Sequence, residues 1–232
     1  MILLVAAITP VIIFLYVIYK KDTEKEPIRL LIKCFIGGML SLIPALIFGT
    51  GFEIFNSFYS PVVASFYNAF FVAAISEEIA KFIILYCVVW KSKEFDQHYD
   101  GIICAVFVSL GFALVENIMY VFENGMEVAI LRAVSAIPGH GFFGVAMGYF
   151  FALAKFSDRH FRVRNIFLCL FIPILLHGIY DFVLMYMSTP EIGGLEAVCL
   201  VIVLTFVIIF LWRYGIGRIK DHILRDKIDN EL

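Results

Sequence analysis

The sequence predicts an all-α polytopic membrane protein with about seven transmembrane helices and a polar cavity between spans three to six. Hydrophobic residues make up 62% of the 232 residues and charged residues 16%, which is more apolar than a soluble domain of this length. Long apolar stretches are separated by short charged or turn-rich linkers, none of which could hold a soluble domain. Ionisable residues also lie inside several of the apolar stretches, and these residues carry the functional prediction.

Seven apolar stretches approach or exceed the roughly 20 residues that a helix needs to cross the hydrocarbon core of a bilayer. The third and fifth are long enough to tilt or to extend beyond the bilayer. We treat residues 1–232 as one transmembrane domain that ends in a short basic cytoplasmic tail at about residues 213–232. The predicted spans are about residues 2–19, 30–49, 62–90, 101–122, 127–154, 165–187 and 195–212.

Basic residues alternate between successive linkers and so indicate the orientation of the chain. The linker regions after spans one, three and five, counted with Lys33 at the start of span two, and the tail hold 16 of the 18 Lys and Arg residues, and the linkers after spans two, four and six hold none. The remaining two, Lys81 and Arg132, fall within spans. The positive-inside rule therefore predicts an N-terminus outside and a C-terminus in the cytoplasm. The first span lacks a basic leader and a small-residue cleavage end, so we interpret it as a retained span.

Glu77 and Glu78 lie side by side in the third span, and Lys81 follows one helical turn later. Each ionisable group at bilayer depth costs about 2.5–3.5 kcal/mol even on the lenient insertion scale, so a functional role is the default hypothesis. The spacing predicts that Glu77 and Lys81 share a helix face, while Glu78 points about 100° away. The structural alternative is a buried Glu77–Lys81 ion pair beside a protonated Glu78. This alternative leaves the cost of burying Glu78 without any compensating interaction.

The fourth and sixth spans add acidic residues and a histidine at a similar depth. Glu116, followed by Asn117, lies within the fourth span, where a lone glutamate could equally serve helix packing. His177 and Asp181 are four residues apart in the sixth span and therefore share a helix face. A carboxylate in this position can hold an imidazole in one tautomer and stabilise its charged form.

The fifth span contains a histidine in a stretch of small residues. Pro138 can open the helix just ahead of His140, and a satisfied histidine beside a kink is the structural alternative. Gly144 and Gly148 form a G-x-x-x-G motif, which permits close approach of a neighbouring helix.

Taken together, these residues predict a polar site near mid-membrane that supports hydrolysis. A carboxylate could activate water there while histidines donate to a developing oxyanion. The sequence contains neither G-x-S-x-G nor H-E-x-x-H. The five cysteines lie inside apolar stretches without C-x-x-C spacing, so we predict free buried thiols rather than disulfides or a thiolate zinc site.

Four motifs, taken in order, resemble those of the PrsW family of intramembrane proteases over about residues 10 to 190. They are Glu77-Glu78-Ile-Ala-Lys81, Phe112-x-x-x-Glu116-Asn117, His140-x-x-x-Gly144 and His177-x-x-x-Asp181. That family looks like a divergent branch of the clan of CAAX prenyl endopeptidases and bacteriocin-processing membrane proteins. The resemblance implies a glutamic-type protease of the bacterial cell membrane that makes the first cut in a single-span anti-sigma factor, on its extracytoplasmic side. A second intramembrane protease then completes the release of the sigma factor.

The resemblance also implies roles for individual residues. Glu77 and Glu78 would be the water-activating acid pair, and His177 the oxyanion or proton-relay group. Glu116 and His140 would be further catalytic members, with Lys81, Asn117 and Asp181 as supporting residues. The chain has Glu116 where CAAX-type enzymes carry histidine and Asp181 where many carry asparagine, so prenyl-protein processing is a poor substrate prediction.

Two alternatives to this function remain open at this stage. The first is a metal-dependent protease of the same fold, in which two histidines and two or three carboxylates bind zinc. The second is a proton- or ion-coupled transporter, which also carries acids at mid-membrane, although no internal repeat is evident. The main prediction includes no cofactor and no nucleic-acid partner, and it names the lipid bilayer and a single-span membrane protein as partners.

Overall fold

The computed structural model describes residues 1–55, 60–190 and 192–231, and the regular secondary structure of these residues is entirely helical. Three segments, α4, a π-helical segment and α5, follow one another without a break from Pro61 to Val89. The helices are α1 (Ile2–Lys21), α2 (Ile28–Leu40), α3 (Leu42–Glu53), α4 (Pro61–Tyr67), the π-helical segment (Asn68–Ile75), α5 (Ser76–Val89), α6 (His98–Asn124), α7 (Met126–Val134), α8 (Ala136–Phe156), α9 (Arg159–Met187) and α10 (Gly194–Glu231).

This architecture confirms the prediction of an all-α polytopic membrane protein. Within the described ranges, six helical units are long and apolar enough to cross a membrane, at residues 2–21, 28–53, 98–124, 126–156, 159–187 and 194–231. The third predicted span corresponds to the continuous run from Pro61 to Val89, whose apolar character is interrupted at its centre by the Glu77, Glu78 and Lys81 side chains.

Two predicted spans are divided into shorter helices, and a proline explains each break. The second span divides at Ser41 and the fifth at Ser135. Pro44 and Pro138 lie three residues after these breaks, in the first turn of the following helix. A proline has no N–H for the carbonyl four residues earlier and its ring collides with that carbonyl, so the preceding helix ends there. Pro138 thus opens the helix at Ser135, further ahead of His140 than the sequence suggested.

The basic tail at about residues 213–232 is not an extended appendage. Its described part continues α10 as one helix to Glu231 and packs against the first turn of α6. The Asp226 carboxylate accepts hydrogen bonds from the backbone N–H groups of His98 and Tyr99, at 2.7 and 2.9 Å. These two N–H groups lie in the first helical turn and have no partner within α6, so Asp226 satisfies them from a distant part of the chain.

The centre of the fold is the pair α6 and α8, and α8 also packs extensively against α9. Both helices are buried along most of their length. A Cβ atom placed on Gly148 would overlap the carbonyl oxygen of Gly101, and one on Gly144 would lie 2.9 Å from the Cβ of Ser109. The G-x-x-x-G motif therefore lies at the α6–α8 contact, where the two backbones approach closely.

Replacement of Gly148 by alanine should weaken this contact. The added methyl group meets the α6 backbone, which cannot rotate away, so the two helices must separate at a cost of about 1–3 kcal/mol. We expect a lower Tm in detergent micelles. The matched control is Gly217→Ala on α10, where an added Cβ has no atom within 4 Å. Equal Tm values for the two variants would contradict this account of the α6–α8 contact.

Candidate active site

The structure brings the polar residues of the third to sixth predicted spans into one cluster. The cluster draws on α5, α6, α8 and α9, so side chains far apart in the sequence become neighbours. Each member is within 4 Å of another member. The members singled out from the sequence are Glu77, Glu78, Lys81, Glu116, His140, His177 and Asp181.

The π-helical segment presents the glutamate doublet to α9. It ends at Ile75, directly before α5, and the Ser76 hydroxyl donates to the carbonyl of Phe71, five residues earlier, at 3.3 Å. Such wide turns are rare and are found frequently at functional sites. On the facing helix, a Cβ on Gly178 would overlap the ring of Phe70. The absence of a side chain at Gly178 lets α9 approach the π-helical segment, next to His177.

His177 lies between two carboxylates. Its Nδ1 is 2.9 Å from Oε1 of Glu78, and its Nε2 is 3.1 Å from Oδ2 of Asp181. The ring of Phe143 stacks on the imidazole with centroids 4.8 Å apart and an interplanar angle of 17°. An imidazole that donates from both nitrogens is positively charged, and this arrangement of acceptors stabilises that form. The predicted pairing of His177 with Asp181 is present, and Glu78 adds a second acceptor.

Lys81 contacts both glutamates rather than one of them. Its Nζ is 3.2 Å from Oε2 of Glu77 and 2.8 Å from Oε1 of Glu78, so the expectation that Glu78 would point away from Lys81 was wrong. Residues three apart on a helix are neighbours, as are residues four apart, and Lys81 uses both spacings. The ammonium group also lies over the Phe112 ring, 4.1 Å from its centroid.

The two glutamates differ in their exposure to solvent. The Glu78 side chain is fully buried, whereas 15% of the Glu77 side chain is accessible. One oxygen of Glu78, Oε2, has no hydrogen-bond partner among the described residues. Glu77 is therefore the carboxylate that water can reach, and Glu78 is an enclosed acceptor that holds Lys81 and His177.

His140 connects this group to a second acid. Its Nδ1 lies 3.3 Å from Nζ of Lys81, and its Nε2 lies 2.9 Å from Oε2 of Glu116. Because an ammonium group can only donate, Nδ1 must be the acceptor and the proton is on Nε2, which donates to Glu116. The fifth-span histidine and the fourth-span glutamate are thus direct partners.

Arg132 was not assigned to the site by sequence reasoning, yet it completes this side of the cluster. Its guanidinium donates to Glu116 Oε2 at 2.7 Å and to Asn117 Oδ1 at 2.8 Å. Asn117 in turn donates to the carbonyl of Ala7 at 2.9 Å, which connects the cluster to α1. The signal available in the sequence was that Arg132 is one of the two basic residues inside a predicted span.

Part of the cluster has a donor set that fits a divalent metal ion. Glu77, His140 and His177 each offer one ligand atom, and the three atoms lie within 4.8 Å of one another. Two imidazoles and one carboxylate form a common ligand set of catalytic zinc, and Glu78 would stand behind His177 as its carboxylate partner. Both nitrogens of His140 and of His177 already have partners, so binding a metal requires each imidazole to exchange one of those contacts.

A large cavity is separate from this cluster. It has a volume of about 820 Å³, lies between α1, α7, α8 and α10, and is lined almost entirely by apolar side chains. Pro138 and Phe142 form part of its wall, whereas His140, two residues after Pro138, lies on the opposite face of α8. Thr9 and Lys21 are the polar residues of its lining, which includes none of the carboxylates and histidines of the cluster.

Comparison with known proteins agrees with this geometry. Residues 26–212 match the family described as PrsW family intramembrane metalloprotease. The chain is 38% identical over 218 residues to Protease PrsW of Oceanobacillus iheyensis, with 94% of each chain covered. It is 36% identical to Protease PrsW of Clostridioides difficile, with 97% of this chain and 93% of the relative covered. It is 35% identical to Protease PrsW of Bacillus subtilis, with 93% of each covered. No solved structure matches the chain significantly. The chain therefore belongs to the PrsW family and is a multi-pass bacterial membrane protease.

Proposed function

We propose that this protease makes the first cut in a single-span anti-sigma factor, on the extracytoplasmic side, with Glu77 as the base that activates water. The observation that carries the proposal is an accessible carboxylate beside a buried ammonium and a doubly hydrogen-bonded histidine. This combination supplies a base and an oxyanion donor in a water-restricted setting. Membership of a protease family removes the transporter alternative.

The position of the cluster along its helices supports cleavage in the outer half of the membrane, because Glu116 and Asp181 lie closer to the last residues of α6 and α9 than to the first. Asp181 lies six residues before the end of α9 and Glu116 eight residues before the end of α6. At 1.5 Å per residue, these positions are roughly 9 and 12 Å from the helix ends. The alternation of basic linkers indicates that both ends face the outside of the cell. A peptide bond close to the outer end of a substrate span would therefore come to lie near the cluster.

The chemistry follows from the roles of the side chains. Glu77 accepts a proton from water, and the resulting hydroxide attacks the scissile carbonyl carbon. The Nε2–H of His177 exchanges Asp181 for the oxyanion that develops and donates to it, while Glu78 holds the imidazole in position through Nδ1. The carbon–nitrogen bond then breaks, and protonated Glu77 transfers its proton to the leaving amine. The products are a carboxylic acid and an amine, and Glu77 is regenerated.

A metal-assisted form of the same reaction is a second candidate, which the family description and the donor set of Glu77, His140 and His177 both favour. Those three residues would hold the ion, which when bound would polarise the carbonyl and acidify water. In that form Glu78 would still orient His177, and Lys81 would still balance the charge of the carboxylates.

Replacement of Glu77 by glutamine should abolish catalysis without loss of the fold. Loss of a general base costs about 10²- to 10⁴-fold in rate, and the accessible amide can still hydrogen-bond to Lys81. Glu78→Gln should also lower the Tm, because the variant breaks a fully buried ion pair. The assay is cleavage of the co-reconstituted anti-sigma factor, with an unrelated single-span protein as substrate control and the exposed Glu123→Gln as variant control.

Two results would count against this assignment. One is wild-type cleavage by Glu77→Gln together with full loss in Glu78→Gln, which would exchange the roles of the two glutamates. The other is a cut on the cytoplasmic side of the substrate span, located by mass spectrometry of both fragments.

Arg132→Gln should lower the cleavage rate by roughly 10- to 100-fold. The variant removes hydrogen bonds to a charged group worth about 1.5–3 kcal/mol, so Glu116 no longer holds His140 firmly. Arg132→Lys should recover part of the rate, because it keeps the charge but not the two-point contact. Arg159→Gln, an exposed residue at the start of α9, is the control. Wild-type kcat and KM in Arg132→Gln would show that the Glu116–Arg132 pair serves only packing.

Chelators distinguish the two catalytic candidates. If Glu77 acts without a metal, the initial rate of the reconstituted enzyme should be unchanged after treatment with 1,10-phenanthroline and removal of the chelator. Loss of cleavage that returns on addition of zinc or another divalent ion would instead establish the metal-assisted form. The inactive isomer 1,7-phenanthroline controls for effects on the bilayer or the detergent.

A further inference from the structure

Three side chains outside the active site converge where the C-terminal part of α10 meets the first turn of α6. His98, Asp226 and Asp229 each offer one ligand atom, and these atoms lie within 4.8 Å of one another. On α10, Asp226 and Asp229 share a face with His222, because residues at positions i, i+4 and i+7 align along a helix. The three α10 residues therefore face the start of α6 together.

The separations between these atoms are longer than those of a strong, charge-assisted hydrogen bond. Nδ1 of His98 lies 3.3 Å from Oδ1 of Asp226 and 3.6 Å from Oδ2 of Asp229. Charge-assisted N–H···O bonds are about 2.7–2.9 Å long. Zinc bonds of about 2.0–2.2 Å at tetrahedral angles put neighbouring ligand atoms about 3.3–3.5 Å apart. The observed spacing is therefore close to that of atoms that share a metal ion.

Helix capping explains only part of this arrangement. The Asp226 carboxylate accepts from the backbone N–H groups of His98 and Tyr99, but each carboxylate oxygen has a further lone pair for a metal ion. Asp229 makes no such capping bond, and its side chain is 61% exposed, yet it points an oxygen at the same imidazole nitrogen. A cap alone gives no reason for this second carboxylate.

A buried imidazole without a complete set of partners lies beside the cluster. Nδ1 of His222 is 2.9 Å from the carbonyl oxygen of His98, so Nδ1 carries the proton and Nε2 is a free acceptor. The residue is fully buried, and Nε2 has no hydrogen-bond partner within the described part of the chain. The His222 and His98 rings have centroids 5.4 Å apart. His222 thus places an unprotonated, buried nitrogen next to the residue that supplies the imidazole of the group, although its own nitrogen is not among the ligand atoms that lie within 4.8 Å of one another.

We propose that His98, Asp226 and Asp229 bind a zinc ion beside the buried His222, and that this ion fastens α10 to the start of α6. The donor set of nitrogen and carboxylate oxygen atoms is one that zinc accepts in tetrahedral sites. The site is distinct from the proteolytic cluster, because His98 precedes Glu116 by 18 residues on α6, roughly 27 Å along the helix axis. Its role is structural, since it joins two helix ends that the chain separates by more than a hundred residues.

The test is a titration of the full-length protein, stripped of metal in detergent micelles, with zinc chloride by calorimetry. Wild-type protein should bind one zinc ion at this site, and Asp229→Asn should bind it at least 100-fold more weakly. Zinc should also raise the Tm of the wild-type protein but not that of Asp229→Asn. Glu231→Gln removes a charge from the same helix end outside the cluster and should bind like wild type. Glu77→Gln alters the proteolytic cluster, and its zinc affinity at the α6–α10 site should equal that of the wild-type protein.

His98→Gln provides an independent second variant, because it keeps the backbone N–H that Asp226 caps. It should show the same loss of zinc affinity as Asp229→Asn. Equal zinc stoichiometry and affinity in wild type and either variant would overturn the proposal, as would wild-type protein that binds no zinc. In either case the cluster would be an ion pair that supports the α6 cap.

Discussion

The enclosure of one lysine ammonium by two adjacent glutamates is the interaction on which the polar site depends. Lys81 Nζ lies within 3.3 Å of Glu77, Glu78 and His140. Two neighbouring carboxylates at bilayer depth would repel each other and demand solvation that lipid cannot provide. The ammonium removes that repulsion, and its contact with His140 joins the acid pair to the rest of the cluster. Charges and dipoles then alternate in the order Asp181, His177, Glu78, Lys81, His140, Glu116, Arg132.

Apolar packing gives this network its fixed geometry. The backbone contact of α6 with α8 at Gly101 and Gly148 leaves little freedom for these helices to slide. In so poorly solvated a setting, hydrogen bonds and ion pairs are stronger than in water, but an unpaired group is also more costly. Precise helix packing and a complete set of polar partners are therefore two requirements of the same site. Part of the Glu77 side chain is accessible, and in the proposed function substrate and water reach the cluster there.

The sequence was most informative where polarity contrasts with an apolar background. Glu77, Glu78 and Lys81 could be assigned to the site from their cost in a membrane span, and so could the histidines of the fifth and sixth spans. The contact of Lys81 with Glu78 was missed, because spacings of three and four residues both bring side chains together on a helix. Arg132 was missed because its partners come from another helix. The docking of Asp226 on α6 depends on tertiary structure that no local pattern encodes.

The number of residues in the π-helical segment from Asn68 to Ile75 determines the direction in which the side chains of Glu77 and Glu78 point. A π-type turn is commonly equivalent to one inserted residue in an α-helix. Removing a residue there would turn everything after it by about 100° around the helix axis, so that Glu78 would leave the face that meets His177. Insertions and deletions in this short segment could thus reorient the glutamates while the packing of α6 and α8 stays the same. Length variation, rather than substitution of the acids themselves, is one route by which this scaffold could gain or lose catalytic competence.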